Sequence, residues 1–217
     1  MFIQTYPADL QEGAKRIGAL LARPEMLCVD MGHTHYDELA NNCSTVFMAT
    51  CSTMQVEEKP PDFLVNAIDG RTVSWRFKAL DDVRPFVLVT QPADRRLVTD
   101  AGPRVDGAIT VGAQVLDDQP VTSMEVQMDN DPWQPMAPSR DGKPLWQSMC
   151  AALGGTVRVR ARDAAGRTHT DAVQPVRPGW RPPPRKADGS DSDCVGPWPE
   201  RGILNTQLGP NRNGRKW

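Results

Sequence analysis

The stretch "DFLVNAIDGRTVSWRFKAL" (62–80) constrains the fold more than any other part of this sequence. Two runs rich in β-branched and aromatic residues meet at Asp69-Gly70. That pair supplies the positive-φ positions of a tight two-residue turn, so an antiparallel hairpin is predicted. Val73, Trp75 and Phe77 alternate with Thr72, Ser74 and Arg76. The period of two predicts one buried face and one wet face.

The segments around the hairpin read as follows. Pro7 suits a first helical turn, where its missing N–H costs nothing. Leu10, Ala14, Ile17 and Leu21 recur at helical spacing until Pro24 closes the helix. "MLCVDM" (26–31) is a nearly continuous apolar run, the signature of a strand covered on both faces. "GHTHYDELANN" (32–42) follows as a loop, and "STVFMAT" (44–50) as a further strand. From about residue 100 the texture changes. "AITVGAQVLDD", "VTSMEVQMDN" and "GTVRVRARDAAGRTHTDAV" alternate with period two between polar turns, which predicts a small antiparallel, Ig-like β-sandwich. Trp133 and Trp146 are its expected core or rim anchors. "RPGWRPPPRKADGSDSD" (177–193) reads as a Pro-rich linker. The end, 198–217, carries four basic residues against one acidic, a charge expected to serve solvation. The fold class is therefore α+β, mostly β, with segments 1–90, 100–176 and 177–217, and no internal repeat.

Composition narrows the function classes. A net charge of −2 and a pI near 5.9 speak against a nucleic-acid or anionic-membrane binder. No run reaches the roughly 18 apolar residues of a membrane span. "MFIQTYPADLQEG" lacks the basic start and apolar core of a signal peptide. Five cysteines, an odd number without a CxxC spacing, fit reduced thiols and a cytoplasmic location. The first residues read as a strand end running into a helix, so the architecture is expected to begin upstream of Met1.

The chemistry concentrates in "CVDMGHTHYDELANN" (28–42), which holds His33 and His35, two of the three histidines. Loops at the carboxyl ends of α/β strands are where ligands gather. Gly32 would let the backbone come close to a site. Side chains at i and i+2 of an extended loop leave from one face. The two imidazoles could then reach one metal, or each one of two metals roughly 3.5–4 Å apart. The alternative is a surface loop that happens to carry two histidines.

"MGHTHYDELANN", preceded by "TYPADL" and followed by "TVSWRFKAL", resembles the closing part of a calcineurin-like metallophosphoesterase, and in particular bacterial members that append a β-sandwich. The likeness continues through "PADRRLVTD", "VRARDAAGRT" and "TQLGPNRNGRKW". It implies a partial calcineurin-like α/β sandwich, then the β-sandwich and an extended tail. It also implies a centre of two divalent metals (Mn, Fe or Zn) that hydrolyses phosphate mono- or diesters. In that family both histidines of Gly-His-x-His are metal ligands, which carries over to His33 and His35. The family's other boxes (Asp-x-His, Gly-Asp-x-x-Asp and Gly-Asn-His) do not occur in the 217 residues. Gln4 stands where relatives of this type carry a histidine ligand, and an amide carbonyl is a weak, neutral donor for a borderline metal. The expectation is a phosphoesterase member or fragment, acting on a phosphate ester when complete, with no catalytic residue of its own and inactive alone.

Other residues have weaker readings. Asp30, in an apolar strand end, and Asn41 are expected to support the imidazoles from behind, as is Asn42, whereas Asp37 and Glu38 read first as polar loop residues. Cys28, Cys43 and Cys51 match no zinc-binding spacing. His169 is expected at the surface. The competing functions are a non-catalytic interaction module with a residual histidine loop, and a single adventitious metal held without catalysis.

Overall fold

The computed structural model describes residues 2–3, 12–32, 37–50, 61–140, 145–151, 155–181, 195, 198–201 and 203. Its described part is mostly β with one α-helix, as the alternating sequence patterns predict.

The first layers are a helix, a mixed sheet and a hairpin. Strands β1 (Phe2–Ile3), β2 (Cys28–Met31), β3 (Glu38–Asn41) and β4 (Val46–Ala49) form a sheet of order β1-β2-β4-β3. The first two and β4 run parallel, and β3 is antiparallel to β4. "ELAN", expected in a loop, is therefore a strand. Helix α1 (Ala14–Leu21) covers one face of the sheet through Leu21, which packs with Val29, Met31, Phe47 and Ala49. The helix starts later than its apolar spacing suggests, because Gly13 sits at φ 76 and interrupts the turn before Ala14. At its other end the carbonyl of Leu21 accepts a buried hydrogen bond from Thr45 Oγ1 at 2.7 Å, which satisfies a helix-end acceptor from β4's side.

The predicted hairpin is present as β5 (Asp62–Asp69) and β6 (Thr72–Ala79). Its turn is centred one residue later than expected. Asp69 pairs with Thr72, so Gly70 and Arg71 form the loop, and only Gly70 is at positive φ (59°). Glycine first in a two-residue loop is the type II′ arrangement. Val73, Trp75 and Phe77 are buried against Cys28, Leu39, Val46 and Met48 of the mixed sheet. The other face is not wet. Thr72 and Ser74 are buried and Arg76 is half-buried, because β6 packs there on β7 (Phe86–Gln91).

The later part is a pair of four-stranded antiparallel sheets around one apolar core. One contains β7, β8 (Ile109–Leu116), β11 (Ala137–Pro138) and β12 (Trp146–Cys150), in the order β11-β12-β8-β7. The other contains β9 (Val121–Met128), β10 (Gln134–Pro135), β13 (Val157–Asp163) and β14 (Thr168–Val173), in the order β10-β9-β13-β14. Val87, Val111, Val126, Val157, Val159 and Val173 belong to the shared core, with Trp146 packed against it. Strand β7, inside the expected segment 1–90, hydrogen-bonds to β8 and so builds this second body. Gly155 is glycine for a local reason. A Cβ there would fall 1.8 Å from Asp129 Oδ1, the atom that accepts the Thr156 N–H at 2.7 Å.

Trp198 and Ile203 bring the later sequence back to the first layers. Trp198 and Ile203 are buried with Trp75 and Leu97, and Arg201 in the 3-10 turn Pro199–Arg201 is only 1% exposed. At least this part of the tail serves packing rather than solvation. Among the described residues no helix is long and apolar enough to cross a membrane.

Candidate functional site

Strand polarity gathers four chain ends on one edge of the mixed sheet. Ile3 pairs with Met31, Met31 with Ala49, and Ala49 with Glu38. The parallel strands β1, β2 and β4 therefore end where β3 begins, which is the edge where α/β sheets collect ligands. The N–H of Thr50 closes this edge on the carbonyl of Met31 at 3.3 Å. In sequence, His33 follows Gly32 just past β2, and Gln4 follows β1. His33, His35 and Gln4 themselves lie outside the described residues, as does Cys51.

Two carboxylates are described beside this edge. Asp30 pairs in register with Phe2 on one side and Met48 on the other, and is half-buried. Burial pushes its carboxyl above the ordinary range, and a hydrogen bond from the Met31 backbone opposes the shift. Asp37 is 3% exposed where the chain enters β3. The expected polar loop residue is instead carried inward because β3 begins at the next position, which the sequence does not mark as a strand. Both are hard oxygen donors suited to a divalent cation. No group of three or more His, Cys, Asp or Glu able to hold a metal forms among the described residues.

The other expected residues divide. Gly32 is described, but no described atom lies within 4 Å of where a Cβ would stand, and its φ is outside the left-handed range. Packing against described atoms therefore does not require glycine. Asn41 lies at the opposite edge, paired with Val46. Its amide donates to the carbonyls of Arg96 (2.9 Å) and Val98 (3.1 Å), while its Oδ1 accepts from Cys43 N–H at 3.0 Å. It fastens the 96–98 segment to the sheet. Asn42 Oδ1 accepts from the N–H groups of Ser44 and Thr45, which shapes the β3–β4 turn with Cys43 at φ 70. Cys28 begins β2, at the far end from His33 in sequence, and burial raises its thiol pKa.

His169, expected at the surface, is half-buried. It sits on the inward phase of β14 with Asp171 and Val173, beside the hairpin. Arg76 Nη2 lies 2.9 Å from its Nε2, and because a guanidinium only donates, Nε2 is the acceptor. Burial first, and then Arg76 and Arg84, lower its pKa to about 3. Next to it, Asp171 Oδ1 accepts from Arg76 Nη1 at 3.2 Å and Oδ2 from Val89 N–H at 2.8 Å. Arg201 Nη2 stands 2.9 Å from the same Oδ2, and its Nη1 donates to the carbonyl of Trp75. This cluster joins the hairpin, the sandwich and the tail. It holds the bodies together.

No protein-family model matches the chain, and no curated protein matches it. Two solved structures show partial likeness. An engineered protein is 25% identical, over 43% of this chain and 19% of its own length, with a TM-score of 0.33. A modular endo-β-1,4-mannanase from Cellulomonas fimi is 27% identical, over 47% of this chain and 20% of its own, with a TM-score of 0.32. The match thus spans about a fifth of each of those proteins.

Proposed function

We propose that the chain carries the closing part of a metal-dependent phosphoesterase of the calcineurin-like class, followed by an Ig-like sandwich. The observation that supports this reading most is the carboxyl edge of the mixed sheet. Parallel β2 ends at Met31 and the sequence continues directly into Gly32-His33-Thr34-His35, with Asp30 on one side and buried Asp37 at the return. His33 and His35 would hold metal. Asp30, half-buried in the strand that leads into the loop, would steer an imidazole N–H or a bound water. When bound, a pair of divalent metals activates water and offsets charge on the phosphoryl oxygens. The aspartate- and asparagine-bearing boxes of the family do not occur in this sequence, so the chain alone binds metal without turning over substrate.

The test is a calorimetric titration of the full chain with Mn²⁺ and with Zn²⁺, beside an assay on a generic aryl phosphodiester. Heat of binding is expected in the wild type and is lost in His33→Ala and His35→Ala. Gln4→His is expected to tighten binding, because an imidazole replaces a weak carbonyl donor. No turnover is expected in any of them. Absence of binding heat in the wild type and in Gln4→His would end the reading.

A further inference from the structure

The sheet β10-β9-β13-β14 turns one face to the core and the other to solvent. Along β13, Val157, Val159 and Ala161 point inward, which leaves Arg158, Arg160 and Arg162 on the solvent face. Alternate residues of a strand stand about 6.7 Å apart, so the three guanidinium stems form a row. Facing them in register are Gln127, Glu125 and Ser123 of β9, and Ala172, Thr170 and Thr168 of β14. Glu125 alone among these is acidic, so the row keeps a local excess of positive charge.

The arginines hold their charge in different ways. Arg158 donates to the neutral carbonyl of Asp129 at 2.6 Å, and Arg162 is exposed. Arg160 is held by Glu125 at 2.7 Å and lies 4.2 Å over the Trp133 ring. The acids at the neighbouring loop end, Asp117, Asp118 and Asp163, are already engaged by Arg167. The net charge of −2 conceals this separation of signs.

From this geometry we infer that the β13 face is a docking surface for an extended, single-stranded phosphodiester chain. The step between the arginine stems is comparable with the step between successive phosphates of an extended strand. Exposed Arg162 presents the fork that pairs with two phosphate oxygens, and Arg158 and Arg160 offer the N–H groups not given to Asp129 and Glu125. The flat Arg160–Trp133 stack offers a platform on which a base can lie, the sequence-tolerant contact that single-strand binders use. The hydroxyls of Thr168 and Thr170 border the row as donors. The inference needs neither metal nor the histidine loop, so it stands or falls apart from the phosphoesterase reading.

The experiment is fluorescence anisotropy of a short labelled oligothymidylate with the full chain, in metal-free buffer across a salt series. Three phosphate contacts on a single strand predict a slope of log K against log salt of about −2. Arg160→Gln combined with Arg162→Gln is expected to weaken binding roughly tenfold. Glu125→Gln is expected to strengthen it by releasing Arg160, an effect that a merely structural role for these residues would not give. Melting temperatures report whether each variant folds. If the double variant does not fold, Arg162→Glu alone, at an exposed position, must still weaken binding. The inference is overturned by absence of binding at the lowest salt, by binding that ignores these substitutions in folded variants, or by equal affinity for a sulfated polysaccharide.

Discussion

Asp171 and His169 show how much one strand phase decides. On β14 they alternate with exposed Thr168 and Thr170 and share the inward side with Val173. The sequence therefore contained the information that His169 points inward, since it is two and four residues from a carboxylate and a valine of the core. It was obscured by composition, because "THTD" reads as a polar turn. The pH consequence has a definite sign. An unfolded histidine titrates near 6.5, whereas half-buried His169, faced by Arg76, Arg84 and Lys78 and only partly compensated by Asp82, has its pKa lowered to about 3. Between those values the unfolded chain binds the extra proton. Stability is full above pH 6.5 and is lost as the pH falls toward 3, by roughly 5 kcal/mol at most. Thermal melts between pH 7.5 and 4 should show the wild type losing stability faster than His169→Gln. Parallel curves for the two proteins would refute this burial.

At the scale of elements, β6 shows what periodicity cannot reveal. Its alternation identified Val73, Trp75 and Phe77 as core, and they are. Thr72 and Ser74 gave no sign that their face is also covered, because short polar side chains suit both a wet surface and a close strand-to-strand packing. Only the arrival of β7 decides, and that contact is not local in sequence. The two readings predict different mutational outcomes. On a solvent face, Ser74→Lys would shift stability by no more than about 0.5 kcal/mol. With Ser74 1% exposed, the substitution forces a charge into a covered face and is expected to cost at least ~2 kcal/mol in urea denaturation. Trp75→Ala, which empties the centre of the other face, should cost about 3–5 kcal/mol. The candidate site is legible to a similar degree. The parallel strand leading into His33 follows from "MLCVDM", and the resemblance supplies roles for the histidines. Asn41 could not be placed in advance, because its position at the opposite edge depends on β3 being a strand, and "ELAN" has no strand pattern of its own.

At the scale of the whole molecule, the tail closes the structure. The Pro-rich stretch 177–193 reads as a linker, yet its Trp180 packs on Ala93, Val98 and Val176, and nothing local in 198–203 distinguishes a packed segment from a solvated one. Yet Trp198 stacks edge-on to Trp75 at 5.8 Å, Ile203 is buried beside it, and Arg201 spans the Trp75 carbonyl and Asp171. The hairpin body and the sandwich are thus joined through one buried ion cluster whose second cation comes from the end of the chain. Removing a partner from a buried pair usually costs about 3–5 kcal/mol. Asp171 keeps Arg76 when Arg201 is lost, which places Arg201→Met near the lower end of that range. A chain ended after Val195 loses the ion pair and two buried apolar side chains together, so it should unfold at lower denaturant than Arg201→Met. The sandwich has its own core, whereas the Trp75 face depends on this cover. Limited proteolysis of the shortened chain should therefore degrade the segment before Phe86 first and leave a fragment of about 86–176. Digestion in the reverse order, or unchanged denaturation of the shortened chain, would show that the tail only rests on a body that is complete without it.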